Sequence, residues 1–271
     1  MKKTFKKWAL ALALILIALV LAVACIFLGN PISYLLAFVN ASNLIRTEYV
    51  ESDYKIESIK FEMKHGDYVA SIKSPTKVDE YFTLWMDGWG KIRENNYDWR
   101  VEQKVNTGAR LSEEYSSFVA ETGLWKELDS AYQYTEARII NYPSDYDGKA
   151  YIPHKDALTK EEIELNKVYD IKEFARVHGE LVIQADLETP TYETIANILL
   201  QVKKVADEKN VPFYTISIHL REKGVYSSNP MVQVVHLLYD DIYETDLMAR
   251  IKANAENYDK LKAEAGLGEP I

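Results

Sequence analysis

No charged side chain lies between Lys7 and Arg46. The first part of that gap, Trp8 to Leu28, is an apolar run of 21 residues. As a helix rising about 1.5 Å per residue it would cover roughly 32 Å, enough to cross a hydrocarbon core of about 30 Å. The sequence therefore predicts an N-terminal transmembrane helix, with residues 1–29 forming a basic cytoplasmic tip and anchor. Lys2, Lys3, Lys6 and Lys7 precede the run and the next cation is Arg46. The positive-inside bias then keeps the N-terminus in the cytoplasm and sends everything after residue 30 outward, as in a single-pass type II membrane protein. A cleavable signal peptide shares the basic tip and apolar run, but its apolar region is about 7–15 residues long, so an uncleaved signal-anchor is the expectation.

Cys25, the single cysteine, follows Leu21-Ala22-Val23-Ala24. Small residues before a cysteine near the end of an apolar run are what lipoprotein processing reads, so Cys25 is a lipidation candidate. Ile26, Phe27 and Leu28 continue the run past it, which favours a cysteine acting as a small apolar side chain. One cysteine forms no intrachain disulfide, so the fold must be held by its core.

About 240 residues remain beyond the run, enough for one large or two modest domains. With the four N-terminal lysines set aside, 28 Lys and Arg face 41 Asp and Glu, a net charge of −13. Such a surface is a poor partner for nucleic acid, whose phosphates need a basic face.

Asn30-Pro31-Ile32-Ser33 reads as a helix start, with Asn30 as cap and Pro31 in the first turn, where its missing N–H costs nothing. Ile32, Leu35, Leu36 and Val39 follow at helical spacing, giving an amphipathic helix over 31–48 that either lies in the lipid headgroup region or packs on a sheet. The period then changes to two. Ile59, Phe61 and Met63 alternate with charge in Tyr54 to Lys64, His65-Gly66-Asp67 turns, and Tyr68 to Lys73 returns as a second strand. Tyr81 to Trp85 gives a third. The expected first module, 30–105, is a helix on a three-stranded antiparallel sheet.

A helix opened by Asn-Pro-Ile-Ser after an apolar anchor, then YKIESIKFEMKHGDYVASIKSP and an aromatic strand, resembles uncharacterised membrane-anchored proteins of Gram-positive bacteria. The whole-chain layout is similar to the YfjL-like family, with the similarity covering about residues 1–86 at pattern level and only the layout beyond, and the N-terminal helix-plus-sheet module resembles the modules called PepSY. The PepSY resemblance implies a role outside the membrane, where such modules have been linked to peptidase control. The family implies no catalytic residue.

Residues 91–130 read as helical, interrupted at Asn106-Thr107-Gly108, where the boundary to a C-terminal module of 106–271 is placed. Leu111, Tyr115, Phe118 and Val119 mark the apolar stripe of the second helix. Ala137 to Ile140 is a short strand candidate in a turn-rich stretch. Glu180 to Leu187 alternates as a strand, Thr191 caps a helix through Lys209, Val211 to Glu222 and Met231 to Asp240 are strands, and a last helix runs from about Tyr243 to Ala263. The order β-α-β-β-α predicts a second two-layer helix-on-sheet module, with the two strands joined by the helix able to lie parallel. The fold class is thus α+β, a transmembrane helix followed by two such modules.

Candidate chemistry is sparse. His219 and His236 sit on two adjacent strands at similar distances from their turn, with Asp240 or Asp241 beyond. Two histidines and a carboxylate can bind zinc if they converge, but a one-residue register change moves one histidine to the other face. No HExxH, GxSxG or phosphate loop occurs, so no catalytic residue and no cofactor is expected. Trp85, Trp89 and Trp99, with Tyr97 among them, are candidates for an aromatic surface that stacks sugars or peptides, or else for core. These readings point to a membrane-anchored extracytoplasmic protein acting at the cell envelope as a binding or regulatory module, with a membrane or cell-wall protein as partner. A cryptic envelope hydrolase and a structural component of a membrane complex are the alternatives.

Overall fold

The computed structural model describes residues 8, 12–17, 19, 20, 23, 25, 27–128, 132–140, 157–225 and 232–264. The chain divides into two compact units, Met1–Gln103 and Lys104–Ile271.

The expected membrane span is not found. Among the described residues no helix is long and apolar enough to cross a membrane. Helix α1 (Pro31–Glu48) carries Arg46 and Glu48 and packs on a sheet.

α1 starts where the sequence predicts. Asn30 is extended and its side chain accepts a hydrogen bond from the Ile32 amide at 2.9 Å, with Pro31 next in line. The sheet beneath has four strands rather than three: β1 (Lys55–Glu62), β2 (Asp67–Lys73), β3 (Tyr81–Met86) and β4 (Ile92–Asn95), antiparallel in that order. The sequence pattern predicts helix over β4; its side chains are mostly exposed, so it shows no apolar alternation. Alternate residues of the inner strands, Tyr68, Ala70 and Ile72 with Phe82, Leu84 and Met86, form the core. α1 meets them with Ala37 and Ala41, both fully buried. At Gly90 (φ +76°) a Cβ would lie 2.7 Å from the backbone of Leu36, and the Gly90 carbonyl accepts from the Asn40 side chain at 2.9 Å. The lack of a side chain at Gly90 lets the turn touch the helix backbone at Leu36.

The second unit begins with α2 (Val105–Thr122), then α3 (Leu124–Glu127), β5 (Tyr132–Ile139), α4 (Ile171–His178), β6 (Gly179–Leu187), α5 (Tyr192–Glu208), β7 (Thr215–Glu222), β8 (Val232–Leu238) and α6 (Leu247–Glu264). Asn106, Thr107 and Gly108 are buried in the first turns of α2 and do not break it. The strands form one sheet in the order β5-β6-β7-β8, with β6 and β7 parallel and the outer pairs antiparallel. Parallel neighbours need a crossover, which α5 supplies. Leu181, Ile183, Ile216, Ile218 and Val234 face Leu111, Tyr115 and Val119 of α2, Ile195, Leu199 and Val202 of α5 and Ile251 of α6 in one apolar core. β8 is an edge strand, and Asn254 of α6 covers its free side by accepting from the Val235 amide at 3.0 Å and donating to the Val235 carbonyl at 2.9 Å.

Candidate functional site

The face of the second sheet opposite its helices is polar, and its centre is a buried carboxylate. Side-chain alternation puts Glu180, Val182 and Gln184 of β6 beside Thr215, Ser217 and His219 of β7. Arg138 of β5 pairs in register with Glu180. Glu180 has no exposure to solvent. Its Oε2 accepts from Arg138 Nε at 2.8 Å, with Arg138 Nη2 also 2.8 Å away, and its Oε1 accepts from Ser217 Oγ at 2.6 Å and lies 2.7 Å from His236 Nδ1. Burial alone pushes the Glu180 carboxyl upward, but the contacts with His236, Arg138 and Ser217 outweigh it and hold it down at about 2.

His236 reaches this place through a β-bulge. Ile216 pairs with Leu237 and Ile218 with Val234, so Val235 and His236 stand opposite the single Ser217. His236 takes φ +53°, a left-handed conformation that a non-glycine side chain adopts at some energetic cost, and its amide donates to Ser217 Oγ at 2.9 Å. His219 pairs in register with Gln233, not with His236, and its Nδ1 lies 3.3 Å from Gln233 Oε1. Burial lowers its pKa. The two histidines thus share a face around Glu180 without opposing each other. Asp240 and Asp241 lie past the strand end in a short 3-10 turn. Among the described residues no group of three or more His, Cys, Asp or Glu is placed to hold a metal.

In a serine–histidine catalytic pair the serine hydroxyl gives its proton to the histidine base. Here Ser217 donates directly to the carboxylate and accepts from a backbone amide, so its proton does not point to an imidazole nitrogen.

A cleft of about 490 Å³ opens elsewhere on the second unit, lined by Arg176 of α4, Asp207 near the end of α5, Phe213 and Tyr214 before β7, and Tyr239 and Asp240 after β8. That size is within the roughly 300–1,000 Å³ usual for ligand sites. Tyr239 is its most firmly held wall: its hydroxyl donates to Asp207 at 2.7 Å, its carbonyl accepts from Lys203 at 3.1 Å, and its ring meets Phe213 edge-on at 5.1 Å between centroids. Burial and the neighbouring Asp207 push the Tyr239 hydroxyl up to about 12, so it acts as a hydrogen-bond donor. The floor is fixed by the buried Tyr115, which donates to the Pro212 carbonyl at 2.7 Å. The arrangement offers rings for stacking, a guanidinium for an anionic group and two carboxylates for a cationic one.

The tryptophans fall on separate elements. Trp85 is half-buried in β3 opposite Val69 and Glu94, Trp89 is 82% exposed in the turn before β4, and Trp99 is half-buried with the Arg100 guanidinium 4.4 Å over its ring. Tyr97 instead joins Tyr49, Tyr54 and Phe82 in an aromatic cluster with centroids 4.5 to 6.1 Å apart. Cys25 is a half-buried free thiol. Glu180, Ser217 and Arg138, and the cleft residues Arg176, Asp207 and Tyr239, escaped sequence reasoning. The first three are scattered polar positions in strand patterns, and the cleft draws on elements far apart in the chain. The one signal available was the alternation of β6, which sets Glu180 on the face away from Leu181 and Ile183.

No curated protein and no solved structure matches the chain. Two family models do: the YfjL-like N-terminal domain over residues 2–98 and the YfjL-like C-terminal domain over residues 124–252. Together they span most of the sequence, and the chain belongs to the YfjL-like family.

Proposed function

We propose that this protein is a binding module whose second domain holds a short peptide or a similarly zwitterionic ligand in the cleft between Arg176 and Tyr239. The observation that carries the reading is the cleft itself, with a preformed aromatic wall and opposite charges on its rim. Arg176 would take a carboxylate as a planar fork, Asp207 and Asp240 an ammonium, and Tyr214 and Tyr239 the apolar body between them. Action at the cell envelope belongs to the same proposal, supported by the basic tip at Lys2 to Lys7 and the charge-free stretch behind it, and cell fractionation checks it.

The test is selection of a displayed peptide library on the full chain and on its Arg176→Ala variant. A recovered peptide should raise the unfolding temperature of the native protein in proportion to the logarithm of its concentration, and the variant should lose that response. Peptides that bind both proteins equally, or that are cleaved on incubation, would overturn the reading.

A further inference from the structure

α1 packs in the reverse of the usual sense. It turns Ser33, Ala37 and Ala41 toward its sheet and its large residues away: Ile32, Leu35, Phe38 and Val39 are 68, 60, 45 and 44% exposed. A helix serving only as cover for a sheet buries its large apolar side chains. With 3.6 residues per turn, these four share the outward side with Asn43 and Arg46, so that side is apolar over its first half and polar over its second.

We propose that the outward face of α1 rests in the headgroup layer of an anionic lipid bilayer, with the helix lying along the surface rather than through it. Phe27 and Leu28, just before the helix in sequence, are also exposed, at 62 and 79%. Cations flank the charge-free stretch, Lys2, Lys3, Lys6 and Lys7 before it and Arg46 after it, while the rest of the chain is strongly acidic. Basic flanks complement anionic headgroups. Tyr34, 47% exposed at the margin of the face, has the amphipathic ring that suits the interface. A protein partner would be expected to meet arginines and hydrogen-bonding groups among the apolar ones, and this half of the face presents a continuous apolar surface instead.

The test uses the full chain carrying Cys25→Ser and one new cysteine, Leu35→Cys, Val39→Cys or the sheet control Lys60→Cys, each labelled with a polarity-sensitive nitrobenzoxadiazole. Circular dichroism confirms that each variant is folded. On vesicles of phosphatidylglycerol and phosphatidylethanolamine, the probes at 35 and 39 should shift to the blue and gain intensity several-fold. They should be quenched more by nitroxides on shallow acyl carbons than on deep ones, with the probe at 60 unchanged and a weaker response on phosphatidylcholine. Absence of a shift at 35 and 39, or preferential quenching by deep nitroxides, would overturn the proposal. So would a blue shift without vesicles that grows with protein concentration, since that marks a second copy of the chain on this face.

Discussion

Replacing Glu180 by Gln removes the one charge around which the polar face of the second sheet is organised. Glu180→Gln keeps the shape but supplies an amide where Arg138, Ser217 and His236 meet a carboxylate at 2.6 to 2.8 Å. Breaking a buried ion pair from one side costs about 3–5 kcal/mol. Arg138 is 41% exposed and can turn to water, which places the expected loss near the lower end, about 3 kcal/mol. Linkage gives a similar figure. The carboxyl falls from 4.5 to about 2 on folding, and at about 1.4 kcal/mol per unit that is on the order of 3 kcal/mol. Because the folded value is the lower one, this stability is present above pH 4.5 and disappears as the pH falls toward 2. The two proteins should therefore differ by roughly a hundredfold in the unfolding equilibrium at pH 7 and converge in acid. Urea unfolding at pH 7, 4 and 2.5, read by hydrogen exchange in peptides from β6 and β7, isolates the second domain. Equal stability at pH 7, or a gap that stays constant down to pH 2.5, would refute the reasoning.

Gly90→Ala should destabilise the first domain by about 2 kcal/mol or more, because its φ of +76° and the 2.7 Å approach to Leu36 both exclude a Cβ; the melting temperature of that domain reads the effect. Asn254→Ala should cost about 2 kcal/mol by freeing the Val235 amide and carbonyl on edge strand β8, and should promote self-association visible in sedimentation. Tyr115→Phe should cost about 1 kcal/mol through the orphaned Pro212 carbonyl and should weaken ligand binding at the cleft floor, measured by calorimetry with a peptide selected on the native protein.

What the sequence disclosed depended on how local the cause was. The start of α1 was legible because Asn30 and Pro31 act within one turn, and the β1–β2 hairpin was legible because its core side chains alternate. β4 was missed because an exposed edge strand has no apolar face to alternate, and α4 because eight residues give little more than two turns of pattern. The apolar run at Trp8 satisfied the length rule for a crossing helix, yet no described helix meets that requirement. At the site, the bulge sets Val235 and His236 opposite Ser217 and delivers His236 to Glu180, while His219 pairs with Gln233. That bulge is an irregularity within the β7–β8 hairpin, and the burial of a glutamate that reads as surface arises from pairing between strands far apart in sequence. The cleft is less local still, assembled from α4, α5 and the ends of β7 and β8.

The most direct test of the binding-module account is hydrogen exchange of the full chain with and without a peptide selected on it. The account predicts that protection rises at residues 207–214 and 238–240, around Asp207, Tyr214 and Tyr239, and that Arg176→Ala abolishes the change. Protection appearing on the outer face of the sheet around His219 and Gln233, with the cleft unaltered, would contradict it.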